Sequence, residues 1–203
     1  MLDVLIIGGG VSGVSCALVL GSAQRKSYVS DKKIGIITHQ KTSSLQEALY
    51  NNAYGIPPGT LGSDLLKSSL ENLSQLYSHV QQIVGEKVLS IEGTSPNLVV
   101  VTNKNRYETK VIVVAIGYAN TFAIEGLMQF VRPHPKAVAE KQRIFLLNKD
   151  HKVAEGIYVA GTLAGWRSQL SIAAGSGAAV ATDILTLWNN GIDSQSHDSI
   201  KKI

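Results

Sequence analysis

The chain has 203 residues, of which 44% are hydrophobic and 17% charged, enough for one sizeable core or one core with a small satellite. Its formal charge of +4 comes from scattered basic residues, with no basic stripe interleaved with aromatics, so nucleic acid is not an expected partner. A single cysteine, Cys16, excludes an internal disulfide, a C-x-x-C redox pair and a multi-cysteine zinc site, and no metal is expected. The longest apolar run, Val111 to Ile116, is too short to span a bilayer. The sequence opens directly on a core strand, so the expectation is a cytoplasmic protein without membrane contact or cleavable leader.

Asp3 to Ile7 is an apolar strand running into Gly8-Gly9-Gly10-Val11-Ser12-Gly13, followed by the helix former Val14 to Leu20. Strand, G-x-G-x-x-G and helix in that order mark a dinucleotide-binding turn, whereas the glycines alone would fit a structural turn. Gly8 permits the tight turn, Gly10 lets backbone approach a pyrophosphate, and Gly13 lets the helix pack against the strand. Cys16, among Val14, Ala17, Leu18 and Val19, reads as a small buried hydrophobe.

A polar connection, Gly21 to Lys33, leads to a second strand, Ile34 to Thr38. An acidic residue usually ends this strand and binds ribose hydroxyls; here Thr38, His39 and Gln40 stand there. Lys41 to Gly59 is loop-like, with a helical turn at Leu45 to Tyr50 and turn signals at Asn51-Asn52 and Ile56-Pro57-Pro58-Gly59. From Thr60, apolar residues at helical spacing through Val80 and Val84 predict one helix ending near Gly85, capped by Ser63 or Asp64, with His79 on its surface. Lys87 to Ile91 is a short strand, and Leu98–Thr102 with Arg106–Thr109 form a hairpin. Val111 to Ala115 suits the centre of a parallel sheet and ends in a backbone approach point at Ile116-Gly117.

Thr121 to Lys141 lacks periodicity, and Arg132-Pro133-His134-Pro135-Lys136 breaks any element there; His134 reads as part of an extended connector rather than a catalytic base. Ile144 to Leu147 is a strand and Asn148 to His151 a turn. Gly156 to Thr162 is a strand entering a second glycine turn, followed by a small-residue helix from Ser171 that runs past Trp188 to a stop at Gly191. Its small residues fit close packing on either another backbone or a flat ligand. Residues 1–191 are expected to form one domain, and residues 192–203 a polar, frayed tail.

Five of these segments, in order, resemble the FAD-binding domain of the thioredoxin reductase-like branch of the pyridine nucleotide-disulfide oxidoreductases. They are Gly8 to Gly13, the Asn52…Pro57-Pro58-Gly59 loop, Val111 to Gly117, Gly156 to Thr162, and Arg167 to Gly177. The resemblance implies an α/β, Rossmann-like FAD-binding fold with a central parallel sheet and a β-meander on one side. It implies FAD as cofactor, with Gly8, Gly10, Val11, Ser12 and Gly13 at the pyrophosphate and Thr38-His39 by the adenosine ribose. The main chain of Val88 would meet the adenine, with Ala115, Ile116 and Gly117 at the close backbone approach. Asn52 would face the isoalloxazine or ribityl end, Gly161 and Thr162 the ribityl chain and phosphates, and Gln169 and Leu170 the pyrimidine edge.

The departures are equally specific. The family carries an NAD(P)H-binding domain with its own glycine fingerprint and C-x-x-C between the segments matching Val111 to Gly117 and Gly156 to Thr162, and here only residues 118–156 join them. The aspartate that follows the second glycine turn is replaced by Thr162. The expected function is an FAD-dependent oxidoreductase that exchanges electrons with an external donor or partner and is not a disulfide reductase. No catalytic residue is assignable, although Trp166 and Arg167 are candidates to border the flavin. A non-catalytic FAD-binding or redox-sensing subunit, and an NAD(P)-binding Rossmann protein, are the competing readings. A homodimer is expected, because removing a domain exposes surface that the family buries.

Overall fold

A computed structural model describes residues 1–39, 45–118 and 121–197. In chain order the strands and helices are β1 (Val4–Ile7), α1 (Val11–Ser22), β2 (Ile34–Thr38), β3 (Leu49–Tyr50), β4 (Thr60–Leu61), α2 (Gly62–Leu76) and β5 (Val80–Val84). The meander β6 (Val88–Thr94), β7 (Asn97–Thr102) and β8 (Arg106–Thr109) precedes β9 (Ile112–Val114). The chain then adds β10 (Val131–Pro133), β11 (Ile144–Leu146), β12 (Lys152–Ala154), β13 (Ile157–Val159) and α3 (Leu170–Trp188).

The central sheet has the order β12-β13-β9-β1-β2-β5, parallel throughout except for the antiparallel edge strand β12. Both faces of this sheet are covered, which is why its strands read as unbroken apolar runs. Alternation along β1 sends Val4 and Ile6 into a core with α1 and α3, and Leu5 and Ile7 into a second core under the meander. β9 does the same, with Val113 on the helix side and Ile112 and Val114 opposite. This is the Rossmann-like architecture expected from the sequence, with the antiparallel meander on one face.

Several local readings need correction. Val80–Val84 is a strand paired in parallel with β2, not the end of a helix. The spacing of Leu73, Leu76, Val80 and Val84 satisfies a helical period, but α2 ends at Leu76, and a turn through Tyr77, Ser78 and His79 delivers Val80 and Ile83 to the open edge of β2. β-branched residues at 80, 83 and 84 suit a strand equally well, and the edge's unpaired backbone decides between the two. Neither Ser63 nor Asp64 caps α2. Its N-cap is Leu61, and the Gly62 N–H bonds the Ala48 carbonyl at 2.8 Å, so backbone fixes the start. Of the turn expected at 45–50, residues 45–47 do turn, but Leu49–Tyr50 pairs with Thr60–Leu61 as a hairpin; Lys41 and Gln40 lie outside the described residues.

The proline-rich segment also pairs, with Val131–Pro133 antiparallel to Ile144–Leu146 in an isolated two-stranded ribbon where a missing N–H is tolerated. The tail does not fray as far as Ser196. The Ser194 N–H donates to Thr186 Oγ1 (3.1 Å), and the Ser22 and Ser196 hydroxyls bond at 2.8 Å. Among the described residues α3 is the one helix long and apolar enough to cross a membrane; Val180, Ala181, Ile184 and Leu185 are buried in the helix-side core against α1.

Candidate functional site

β1 and β9 end side by side, and the chain leaves β1 through a turn built almost wholly of backbone. Gly8 has φ +119°, and a Cβ there would lie 2.5 Å from the Ala115 carbonyl oxygen. A Cβ on Gly9 would strike the Thr38 methyl at 2.6 Å, and one on Gly13 would come within 1.9 Å of the Gly8 carbonyl. Only glycine lets the turn nest against β2, β9 and the first turn of α1. No side chain caps α1, whose N-cap is Gly10, so its first-turn N–H groups are available to an anion, and its macrodipole favours one.

The second glycine turn closes on the first. Gly161 has φ +75°, donates its N–H to Ser176 Oγ (2.8 Å), and has room for no Cβ, which would sit 2.7 Å from Ser12 Oγ. A Cβ on Gly177 would lie 1.9 Å from the Ser12 carbonyl oxygen, and Ser15 Oγ donates to the Ala174 carbonyl at 2.8 Å. The small residues of α3 thus divide between both open readings: Ser176 and Gly177 pack on the backbone of α1, while Leu170 and Ala173 line a hollow.

That hollow, of about 280 Å³, is bounded by Gly10, Val11, Ser12, Ala115, Thr162, Gln169 and Leu170, with Leu45, Ala48 and Tyr50 from the hairpin loop. A second hollow of about 480 Å³ is bounded by Gly8, His39, Val88, Glu86, Lys87, Tyr118, Phe122 and Arg143. The two share Ile116, Gly117 and Ser168 and therefore form one elongated cleft across the carboxyl ends of the parallel strands. Such a crevice is where ligands of doubly wound folds bind.

Four expected residues do not line it. Gly13 and Gly161 shape it from behind, and Thr38 is buried under Gly9. Asn52 is exposed on the hairpin loop, where its neighbour Asn51 accepts the Gly59 N–H at 2.9 Å; Tyr50 occupies the position in the cleft that Asn52 was expected to take. Trp166 and Arg167 are exposed and line neither hollow; the Trp166 ring carries the Lys136 ammonium at 4.4 Å.

Two residues that bear on the cleft are not marked by the sequence pattern. Glu86 is buried on the wall of the larger hollow, just beyond β5, whereas the expected position for an acid is the end of β2. Its carboxylate accepts hydrogen bonds from Thr102 Oγ1 (2.6 Å), Asn105 Nδ2 (2.8 Å) and Tyr107 OH (2.9 Å). The Thr102 bond is the foremost reason its carboxyl is held below the usual carboxylate range, against the opposing effect of burial. Reading β5 as helix hid the equivalence of the two strand ends. His134, the expected connector residue, is 6% exposed. Its Nδ1 accepts the Lys136 N–H, which leaves Nε2–H to donate to the Thr162 carbonyl at 3.1 Å, so it acts as a strut under the second turn. Among the described residues no cluster of His, Cys, Asp and Glu suits a metal ion.

Fold and cleft together define a dinucleotide-binding α/β module with two glycine turns facing one elongated ligand groove. The chain belongs to the pyridine nucleotide-disulphide oxidoreductase family, whose model matches residues 2–177. A ferredoxin–NADP reductase of Streptococcus equi subsp. zooepidemicus is 32% identical over 120 residues, 57% of this chain. The chain spans about a third of that relative's length (34%). An oxidoreductase from Agrobacterium tumefaciens superposes with a TM-score of 0.72 at 11% identity, covering 92% of this chain and 98% of that one. The thioredoxin reductase of Lactococcus lactis does so at 0.69 and 13%, covering 94% and 100%. At these identities the structural likeness establishes the fold, which is that of thioredoxin reductase-like FAD-binding domains.

Proposed function

We propose that this chain binds FAD and works as an oxidoreductase that exchanges electrons with an external donor or partner. The observation that carries the reading is the single cleft running from Val88 to Gln169–Leu170, with both glycine turns on its wall. Such a cleft suits a dinucleotide with a large group at each end, and a nicotinamide dinucleotide would not need the second turn. The cradle fits the cofactor, since no Cβ is tolerated at Gly8, Gly13 or Gly161. Gly10, Val11 and Ser12 at the start of α1 would hold the pyrophosphate, the Val88 main chain and His39 the adenosine, and Thr162 the ribityl chain. Gln169 and Leu170 open α3 without a side-chain cap, so the positive end of that helix would favour negative charge at the neighbouring pyrimidine edge. Bound FAD supplies the two-electron chemistry of its isoalloxazine; the protein's part is to position and polarise it.

The reading excludes dithiol chemistry within this chain. Cys16, its one cysteine, is fully buried on α1, and burial pushes its thiol far above the ordinary range, so no thiolate is available at neutral pH. The same reading includes a homodimer, supported by the exposed Leu49, Tyr54 and Leu61 around the β3–β4 hairpin. Gel filtration is expected to give the dimer mass, and a clean monomer at micromolar concentration would overturn it.

The test of the main reading is the absorption spectrum of the purified protein, with the released cofactor identified by mass. Flavin bands near ~450 and ~370 nm with FAD released are expected. Colourless protein that takes up no added FAD would sink the proposal. Titration with NADH and NADPH then separates an enzyme from a non-catalytic flavin-binding subunit.

A further inference from the structure

Arg143 lies in the segment that joins Gly117 to Gly156, just before β11, and lines the larger hollow with Gly8, His39 and Gly117. Its guanidinium carbon stands 4.6 Å from the centroid of the Tyr118 ring. No ion pair or hydrogen bond engages the guanidinium among the described residues, and its Nε is buried without a hydrogen-bond partner. A buried donor left unpaired on a permanently charged group costs free energy, and native proteins rarely leave one so. Stacking on an aromatic face occupies the flat side of the guanidinium and leaves its in-plane N–H fork for an acceptor. Tyr118 is itself held in place, because it meets the His134 ring edge-on at 5.4 Å and its carbonyl accepts the Ile144 N–H at 3.1 Å.

Among the described residues the hollow offers no free anionic partner for this fork. Glu86 is the carboxylate on its wall, and both its oxygens are engaged by Thr102, Asn105 and Tyr107. We infer that Arg143 is a specificity-determining anion contact of the cleft, binding the adenosine-side phosphate of a nucleoside diphosphate. It would supply a charge-assisted bond at a site whose own strand end, Thr38-His39, carries no acid. This inference rests on the cleft being the FAD site proposed above.

Calorimetric titration of the full chain, freed of flavin, with ADP, adenosine and FAD tests it. R143Q is expected to weaken ADP and FAD binding about ten- to a hundredfold while leaving adenosine within about twofold, the range for one hydrogen bond to a charged group. R143K, which keeps the charge and loses the fork, should fall between R143Q and the native chain, and thermal midpoints of all three confirm folding. An R143Q chain that binds ADP like the native one overturns the inference. So does an equal loss of adenosine, which would make Arg143 a stacking wall. ADP binding that depends on Arg143 in a chain that takes no FAD keeps the arginine's role and rejects the flavin, whereas FAD binding indifferent to R143Q does the reverse.

Discussion

The two halves of the cleft are built from different materials. The half around the glycine turns is backbone pressed on backbone, with Gly8 against Ala115, Gly13 against Gly8 and Gly177 against Ser12, all at distances no side chain would survive. The half contributed by residues 121–156 is held by side chains, with Phe122, Ile124, Leu127 and Leu146 buried under the sheet and His134 reaching the Thr162 carbonyl. The difference teaches where substitution is forbidden and where it is merely costly. Backbone contacts fail as a step, and side-chain contacts fail in proportion to what is removed.

The sharpest way to break that contrast lies within one helix. G177A drives a methyl to 1.9 Å from the Ser12 carbonyl and is expected to cost on the order of 4 kcal/mol or more and abolish cofactor uptake. G175A, two residues away with nothing within 4 Å, should stabilise by about 0.5–1 kcal/mol through helix propensity. Urea denaturation of the pair reads both, and similar midpoints would refute the stepwise picture. In the side-chain half, L127A removes a fully buried residue and should cost about 2–5 kcal/mol while cofactor binding persists. H134F keeps an aromatic ring but orphans the Lys136 N–H and leaves the Thr162 carbonyl with the Gly165 N–H alone; a loss of about 1–3 kcal/mol is expected, with weaker FAD binding as its companion.

The smallest effect is expected away from the cleft. Burial raises the Asp3 carboxyl, but the Lys110 ammonium at 2.9 Å, the Lys33 N–H and the Lys32 charge outweigh it and hold it below its ordinary value. A depressed folded-state value contributes stability that is present above the unfolded pKa of about 3.9 and is lost as pH falls through the folded one. D3N should therefore cost on the order of 1 kcal/mol at pH 7, modest because the Lys110 side chain is 50% exposed. The gap between D3N and the native chain should close below about pH 4, and a gap independent of pH would show that the pair contributes nothing ionic.

The same division explains what the sequence revealed. The parallel strands are buried on both faces, so Val4–Ile7, Ile34–Thr38 and Ile112–Val114 stand out as apolar runs, and glycines at positions of close approach mark both turns. The hairpin loop and the joining segment carried weaker signals. Val80–Val84 fits two periods at once, and only the open edge of β2, far off in sequence, selects the strand. Asn52 matched a motif while Tyr50, two residues earlier, reached the cleft, since the register of the β3–β4 hairpin sets which side chain faces in. His134 and Arg143 bear on the cleft through tertiary contacts with Thr162 and Tyr118, and no local pattern announces those.

The pairing of Ser15 with Ala174 joins residues 159 positions apart. On a ribosome working at ~5–20 residues per second, the first glycine turn emerges roughly 8–30 s before the helix that must close against it. Through that interval the Gly8 to Gly13 turn has no roof, and the cleft does not exist as a pocket. Any ligand that touches both turns can therefore select only chains whose α3 has already been made.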